Sequence, residues 1–255
     1  VYLDQERLEE AEMEYLKTLA LRPGHLSSRI GLSSVYNKQG LYDQAKQTLE
    51  LTIEENLSNA DPNFALVRLN LGELYGKTGQ IENAIAEWQA ALKIDSSLLP
   101  AHFNLGTAYM MTGKQESAEN AFKESLKLNS RYEPALFNLA KVFQKQEKWI
   151  ESTQQFKIFL EVAGPKPSAY AQIGFNFNQQ ADLINAKEFL EKSIALQPNN
   201  FNTRLSLAEI LTHLGRINKA REHLHAALKI NPNLAKNETI HEMMVKLSEP
   251  QNTSP

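Results

Sequence analysis

Apolar residues recur along almost the whole chain at helical spacing, in paired blocks separated by short polar steps. In one block a large apolar residue is followed by a small one, with an aromatic three places further on: Leu71, Gly72, Tyr75, then Leu105, Gly106, Tyr109. In the next block a small residue is followed four places on by a large apolar one: Ala84 and Trp88, then Ala118 and Phe122. Both pairs of blocks are 34 residues apart. Sliding the frame extends the second block's small column to Ala11, Ala45, Ala84, Ala118, Ser152, Ala186 and Ala220, with five extra residues between Ala45 and Ala84. The first block's small column runs Ser33, Gly72, Gly106, Ala140, Gly174, Ala208. Gly40, Gly79, Gly113 and Gly215 fall between the blocks. Two helices joined by a glycine turn explain this, because small residues are needed where helix axes approach closely.

The period and its columns resemble the tetratricopeptide repeat, a 34-residue helical hairpin with the pattern LG..Y…A…F…A…P. The resemblance covers about nine-tenths of the chain. It implies an all-α, right-handed α-solenoid of stacked hairpins. The array is expected over residues 1–234, with a truncated hairpin at 1–25 and full repeats at 26–59, 65–98, 99–132, 133–166, 167–200 and 201–234. Residues 60–64 are an insertion. Residues 235–249 carry an apolar stripe (Ile240, Met243, Met244, Leu247) suited to a C-terminal capping helix, and 250–255 form a tail. The cut first hairpin, of which Val1–Leu3 would be the end of a first helix, predicts that Leu8, Tyr15 and Leu19 are partly uncovered, and that more repeat or a partner precedes Val1. Where the family usually has an aromatic, three residues before the Leu column, this chain has Arg29, Arg68, His102, Leu136, Tyr170 and Arg204.

Composition narrows the chemistry. A formal net charge of −3 argues against a nucleic-acid surface, which needs a basic excess. The absence of Cys removes disulfides, thiolate zinc sites and thiol catalysis. No apolar run approaches the roughly 18 residues of a membrane helix, so no direct membrane insertion is expected. The compartment is not legible, as no targeting segment is visible.

Chemical motifs are fragments. Gly72–Thr78 is similar to a phosphate-binding loop but has three residues, not four, before Gly76-Lys77-Thr78, and it sits on a repeat helix. His241-Glu242 begins like a zinc-protease helix, yet Val245 occupies the second His place. His213, His223 and His225 read as surface residues. Asn56-Leu57-Ser58 and Asn237-Glu238-Thr239 match the glycosylation sequon. No catalytic residue, metal site or cofactor is expected.

The groove is more informative. In tetratricopeptide arrays the first helices line a concave face, and the residue before the Leu column points inward. Here that place holds Gly31, Asn70, Asn104, Asn138, Gln172 and Ser206. The run of Asn followed by Gln looks like the asparagine ladder of O-linked N-acetylglucosamine transferase repeats. An amide offers an acceptor and two donors, so such a ladder would clamp an extended peptide backbone. One residue earlier stand Phe103 and Phe137; with Met110 and Phe175 they would supply an apolar strip. Lys141 and Lys145 are the only cations on that face, too scattered for a carboxylate clamp of the chaperone-tail kind.

The sequence thus points to a non-enzymatic protein–protein interaction scaffold holding a protein or peptide partner in the groove through Asn70, Asn104, Asn138, Gln172, Phe103, Phe137, Met110, Phe175, Lys141 and Lys145. Two alternatives are a substrate-recruiting arm of a longer enzyme, such as a glycosyltransferase, and a structural or assembly subunit of a larger complex.

Overall fold

The computed structural model describes residues 7–55 and 63–248. Val1–Leu3, most of the insertion, the Asn56 sequon, Glu249 and the tail lie outside the described residues. The described residues are helices joined by short turns, and the chain divides into two compact units, Val1–Ser130 and Arg131–Pro255.

The first unit holds α1 (Leu8–Leu21), α2 (Leu26–Lys38), α3 (Tyr42–Glu55), α4 (Phe64–Lys77), α5 (Ile81–Ile94), α6 (Leu99–Met111) and α7 (Gln115–Leu128). The second holds α8 (Glu133–Lys145), α9 (Trp149–Ala163), α10 (Pro167–Gln179), α11 (Leu183–Leu196), α12 (Phe201–His213), α13 (Ile217–Ile230), a short 3-10 turn (Pro232–Lys236) and α14 (Glu238–Ser248). In each unit consecutive helices pair into hairpins, and each second helix also packs on the first helix of the next hairpin.

Each hairpin turn is built alike. The residue after the glycine place donates its N–H five residues back, to the carbonyl of the aromatic column: Leu41 to Tyr36 (2.8 Å), Gln80 to Tyr75 (2.8 Å), Lys114 to Tyr109 (2.8 Å) and Arg216 to Leu211 (2.8 Å). This closure requires a left-handed residue at the helix end, and Gly40, Gly79, Gly113 and Gly215 have φ of 69–78°. The two turns without glycine keep the same conformation, with Glu147 at φ 58° and Ala181 at φ 57°.

The small columns do the packing that their size implies. A Cβ added to Gly72 would sit 2.5 Å from the Trp88 ring, one on Gly106 2.6 Å from Phe122, and one on Gly174 2.8 Å from Leu190. Trp88 is buried, and its indole N–H donates to the Leu69 carbonyl at 3.2 Å. Burying a side chain of this class contributes about 1.5–3 kcal/mol. Ala45, Ala84, Ala118, Ser152, Ala186 and Ala220 are all fully buried.

The polar residues of the missing aromatic column tie hairpins to the preceding loop. Arg29 Nε donates to Pro23 O (2.8 Å), Arg204 Nε to Pro198 O (2.7 Å), and the His102 ring meets Ser96 O (3.0 Å), each six residues back. Arg29 also pairs with Glu55, and Arg68 with Glu87 at 2.8 Å.

Phe64, which the period places in the insertion, is instead the first residue of α4 and fully buried. The period marks where columns resume, whereas a large aromatic one residue earlier is drawn into the core. At the other end Leu247 of α14 is buried against the cluster of α12 and α13, with Ile240, Met243 and Met244 beside it. Arg221 donates twice to the Leu247 carbonyl (3.1 and 2.6 Å), closing the end of that helix. At the start of α1 and α2, Leu8, Tyr15 and Leu19 are half-buried, and the ring of Tyr15 lies where a Cβ on Gly31 would be.

Candidate functional site

In the second unit the first helices α8, α10 and α12 border an open recess of about 810 Å³. Lys141 and Lys145 come from α8, Gln172 and Phe175 from α10, and Glu209 from α12. Glu147 reaches it from the left-handed turn between α8 and α9, and Trp149 from the first residue of α9. Four sequence-predicted residues therefore share one cavity: Lys141, Lys145, Gln172 and Phe175.

Phe175 is 45% exposed, a large value for an aromatic on a helix that packs on both sides, and its ring meets Trp149 edge-to-face at 5.8 Å. Lys141 Nζ donates to Gln172 Oε1 at 3.3 Å. Burial and the neighbouring Lys145 charge both push the Lys141 ammonium below the usual lysine value. The recess carries two lysines and two glutamates, so it has no net charge. Its surface offers amides, an aromatic pair and balanced charge.

Below the recess lies a buried polar network. Gln144 Nε2 donates to Asn176 Oδ1 (2.6 Å). Asn176 Nδ2 donates to Ser152 Oγ (2.8 Å) and Thr153 Oγ1 (3.1 Å), and Ser152 Oγ donates to Ala140 O (2.9 Å). All four side chains are buried. Ser152 is the single non-Ala member of its column, and Asn176 stands where the other hairpins place Val35, Leu74, Ala108, Val142 and Ile210. These departures satisfy one another, joining α8 and α9 to α10.

The first unit carries a smaller pocket of about 340 Å³ between α4 and α6, with Trp88 beneath and Glu73, Asn104 and Met111 around it. Asn104 hydrogen-bonds the Glu73 carboxylate, and burial raises the Glu73 carboxyl above the usual range although Lys77 and Asn104 both pull it down.

The remaining predicted residues lie elsewhere. Asn70 is half-buried and donates to its own helix, at Leu66 O (2.8 Å). Asn138 is half-buried on α8 and does not line the recess. Phe103 turns to Phe122 of its own hairpin (centroids 5.8 Å apart), and Phe137 to Phe156 and Phe159 (5.3 Å each). Met110 is half-buried, and its neighbour Met111, 68% exposed, is the methionine that borders the pocket. The column before the ladder thus contributes Phe103 and Phe137 to hairpin packing.

Sequence reasoning missed Glu73, Thr107 and Glu209, which share the column one place after the small residue with Lys141 and Phe175, and Gly76, Gln144 and Asn178, which share the column four places after it. The signal was one helical turn from the ladder column, where residue type changes from hairpin to hairpin while the core columns stay constant. His213 and His225 are exposed and His223 is half-buried beside Arg204 (3.4 Å). Among the described residues no group of three His, Asp or Glu is placed to hold a metal ion, and no helix is long and apolar enough to cross a membrane.

A family model for the Cilia and flagella-associated protein 70 C-terminal domain matches residues 2–243. No curated protein matches the sequence. Among solved structures, the C-terminal part of a tetratricopeptide-repeat protein from Cytophaga hutchinsonii is similar, with TM-score 0.77 and 17% identity over 95% of this chain and 96% of that one. YrrB, described as a tetratricopeptide-repeat protein with an unusual peptide-binding site, has TM-score 0.65 and 21% identity over 78% and 97%. The Cut9–Hcn1 hetero-tetramer of the APC/C gives TM-score 0.58 and 17% identity over 95% of this chain and 46% of that one. At these identities the structures establish the fold, an all-α solenoid of stacked hairpins. The match over 242 residues assigns the family: the chain belongs to the tetratricopeptide-repeat family defined by the C-terminal domain of cilia and flagella-associated protein 70.

Proposed function

We propose that the protein is a non-enzymatic interaction scaffold, and that the recess of the second unit seats an extended segment of a partner protein. The observation that carries this reading is the joint presence, in one cavity, of Gln172, an exposed Phe175 braced by Trp149, and a charge-balanced rim. Phe175 and Trp149 take an apolar side chain, as aromatic anchors do at interfaces. Gln172 bonds the partner's backbone, with Asn138 at the equivalent place of its hairpin as a further ladder amide in the same unit; Asn70 and Asn104 hold that place in the first unit. The peptide-binding site described for YrrB, a protein of the same fold, supports a peptide as the occupant.

A photo-cross-linking residue at position 175 is expected to capture the partner segment, and Trp149→Ala, which removes the ring that braces position 175, to weaken that capture. Asn→Ala at positions 70, 104 and 138 together tests the ladder: unchanged affinity for the captured partner removes it from this reading. A second reading, assembly through the outer helices, is favoured by Ile150 and Ile184, which are 71% and 67% exposed and 34 residues apart on α9 and α11. Capture from position 184 and not from 175 would establish that reading in place of the first.

A further inference from the structure

The pocket of the first unit is chemically unlike the recess of the second. It exists because Gly76 stands where other first helices carry Asn37, Met110, Gln144, Asn178 or Thr212. A Cβ at Gly76 would already lie 3.4 Å from the Trp88 ring, so any side chain there would cover it. Trp88, Ile81, Ala108 and Met111 make the floor and one wall apolar.

Three side chains on the opposite wall offer acceptors. Glu73 is a carboxylate. Asn104 gives an amide hydrogen to Glu73, and its Oδ1 accepts. Thr107 donates its hydroxyl to Phe103 O at 3.1 Å, which leaves the Thr107 oxygen to accept. The Trp88 indole N–H is taken by Leu69 O at 3.2 Å. Lys77, the cation of the lining, extends to Asn37 Oδ1 of α2 at 3.0 Å. A cavity with an apolar floor and three convergent acceptors matches a side chain with an aliphatic stem and a cationic, donor-only head.

We propose that the pocket bounded by Gly76, Trp88, Glu73, Asn104 and Thr107 is a binding site for a lysine or arginine side chain of a partner segment. The stem lies over Trp88 in the space that Gly76 leaves open, and the head donates to Glu73, Asn104 Oδ1 and Thr107 Oγ1. Burial of Glu73, which raises its carboxyl, means that an incoming cation relieves an under-compensated charge. The proposal rests on the scaffold reading only for the source of the side chain.

The chain's two tryptophans make the test specific, because Trp88 reports this pocket and Trp149 the recess. The full chain, 15N-labelled at tryptophan, is titrated with N-acetyl-lysine N-methylamide and with the norleucine and glutamate equivalents, while the two indole N–H resonances are followed. The lysine probe is expected to move the Trp88 resonance saturably and leave Trp149 in place. Norleucine and glutamate are expected to bind at least about tenfold more weakly. Glu73→Gln and Gly76→Met should each abolish the lysine response; Gly76→Met fills the space with a better helix former, so its fold is kept. The proposal is overturned if lysine gives no saturable shift at Trp88, if norleucine or glutamate matches it, or if the shift survives in Glu73→Gln. Any of these results leaves cross-linking from position 175 unaffected, so the two readings fail separately.

Discussion

Lys141 Nζ reaches Gln172 Oε1 at 3.3 Å, across 31 residues of sequence, and so turns the amide of the ladder place. Glu73 and Asn104 repeat the relationship at the same separation with the opposite charge. Gln172 presents its NH2 to the recess, whereas Asn104 presents its oxygen. A charged residue one hairpin earlier therefore sets which end of the ladder amide is held. Because Lys141 is desolvated and beside Lys145, its charge is not a source of folding stability. Lys141→Met is expected to leave the melting temperature unchanged or higher, within about 1 kcal/mol. A clear loss on thermal unfolding would mean that the Gln172 bond holds α8 to α10.

Asn176 is buried with partners on both sides. Asn176→Ala removes the partner of Gln144 Nε2 and the donor to Ser152 and Thr153, and is expected to cost about 1–3 kcal/mol in urea unfolding. Replacing Gln144→Met with Ser152→Ala and Asn176→Val puts at each place an apolar residue that another hairpin carries (Met110, Ala118 and Val142) and should recover most of that loss.

Ala181 holds a left-handed backbone at φ 57° where four other turns use glycine. Ala181→Gly is expected to stabilise the protein by about 1 kcal/mol, seen as a higher melting temperature. Gly113→Ala, at the same place in another hairpin, should destabilise by a similar amount.

Tyr75 donates its hydroxyl to Glu50 Oε1 at 2.7 Å, joining α4 to α3. Burial first, then the Glu50 bond and the charges of Glu50 and Glu87, raise the phenol from 10.0 to about 12. A raised acid holds its proton longer in the folded chain, so its contribution is complete below pH 10 and is lost as pH climbs towards 12. Stability should fall across that window, and Tyr75→Phe should flatten the fall. An identical alkaline profile for the variant would show that Tyr75 does not carry it.

The repeat was legible because close helix packing admits few solutions: Gly72 under Trp88 and Gly106 under Phe122 write themselves into sequence as small and large residues 16 apart. The recess was only half legible. Lys141, Lys145, Gln172 and Phe175 could be placed from the frame, but Phe103 and Phe137 stand one residue before the ladder, about 100° round the helix, and were drawn to their own second helices. Whether a half-buried aromatic faces a groove or a neighbour depends on the neighbour's size, which one residue's column does not contain. The Gln144–Asn176–Ser152 network was invisible for a related reason, since each residue is an isolated exception until three helices bring the exceptions together.

That network also bears on the order of the hairpins. Hairpin joints made of Ala, Leu and Phe are nearly interchangeable, so a chain of similar units can be lengthened or shortened by one period without a mismatch. The joint of α9 with α10 is different, because the Asn176 NH2 is received by the Ser152 and Thr153 hydroxyls. A deletion of 34 residues that sets α10 against α7 would put Ala118 in the place of Ser152 and the longer, charged Glu119 in the place of Thr153, so neither hydroxyl would be there to receive the amide. One pair of polar residues therefore works as an address, fixing which hairpin follows which in an otherwise uniform stack.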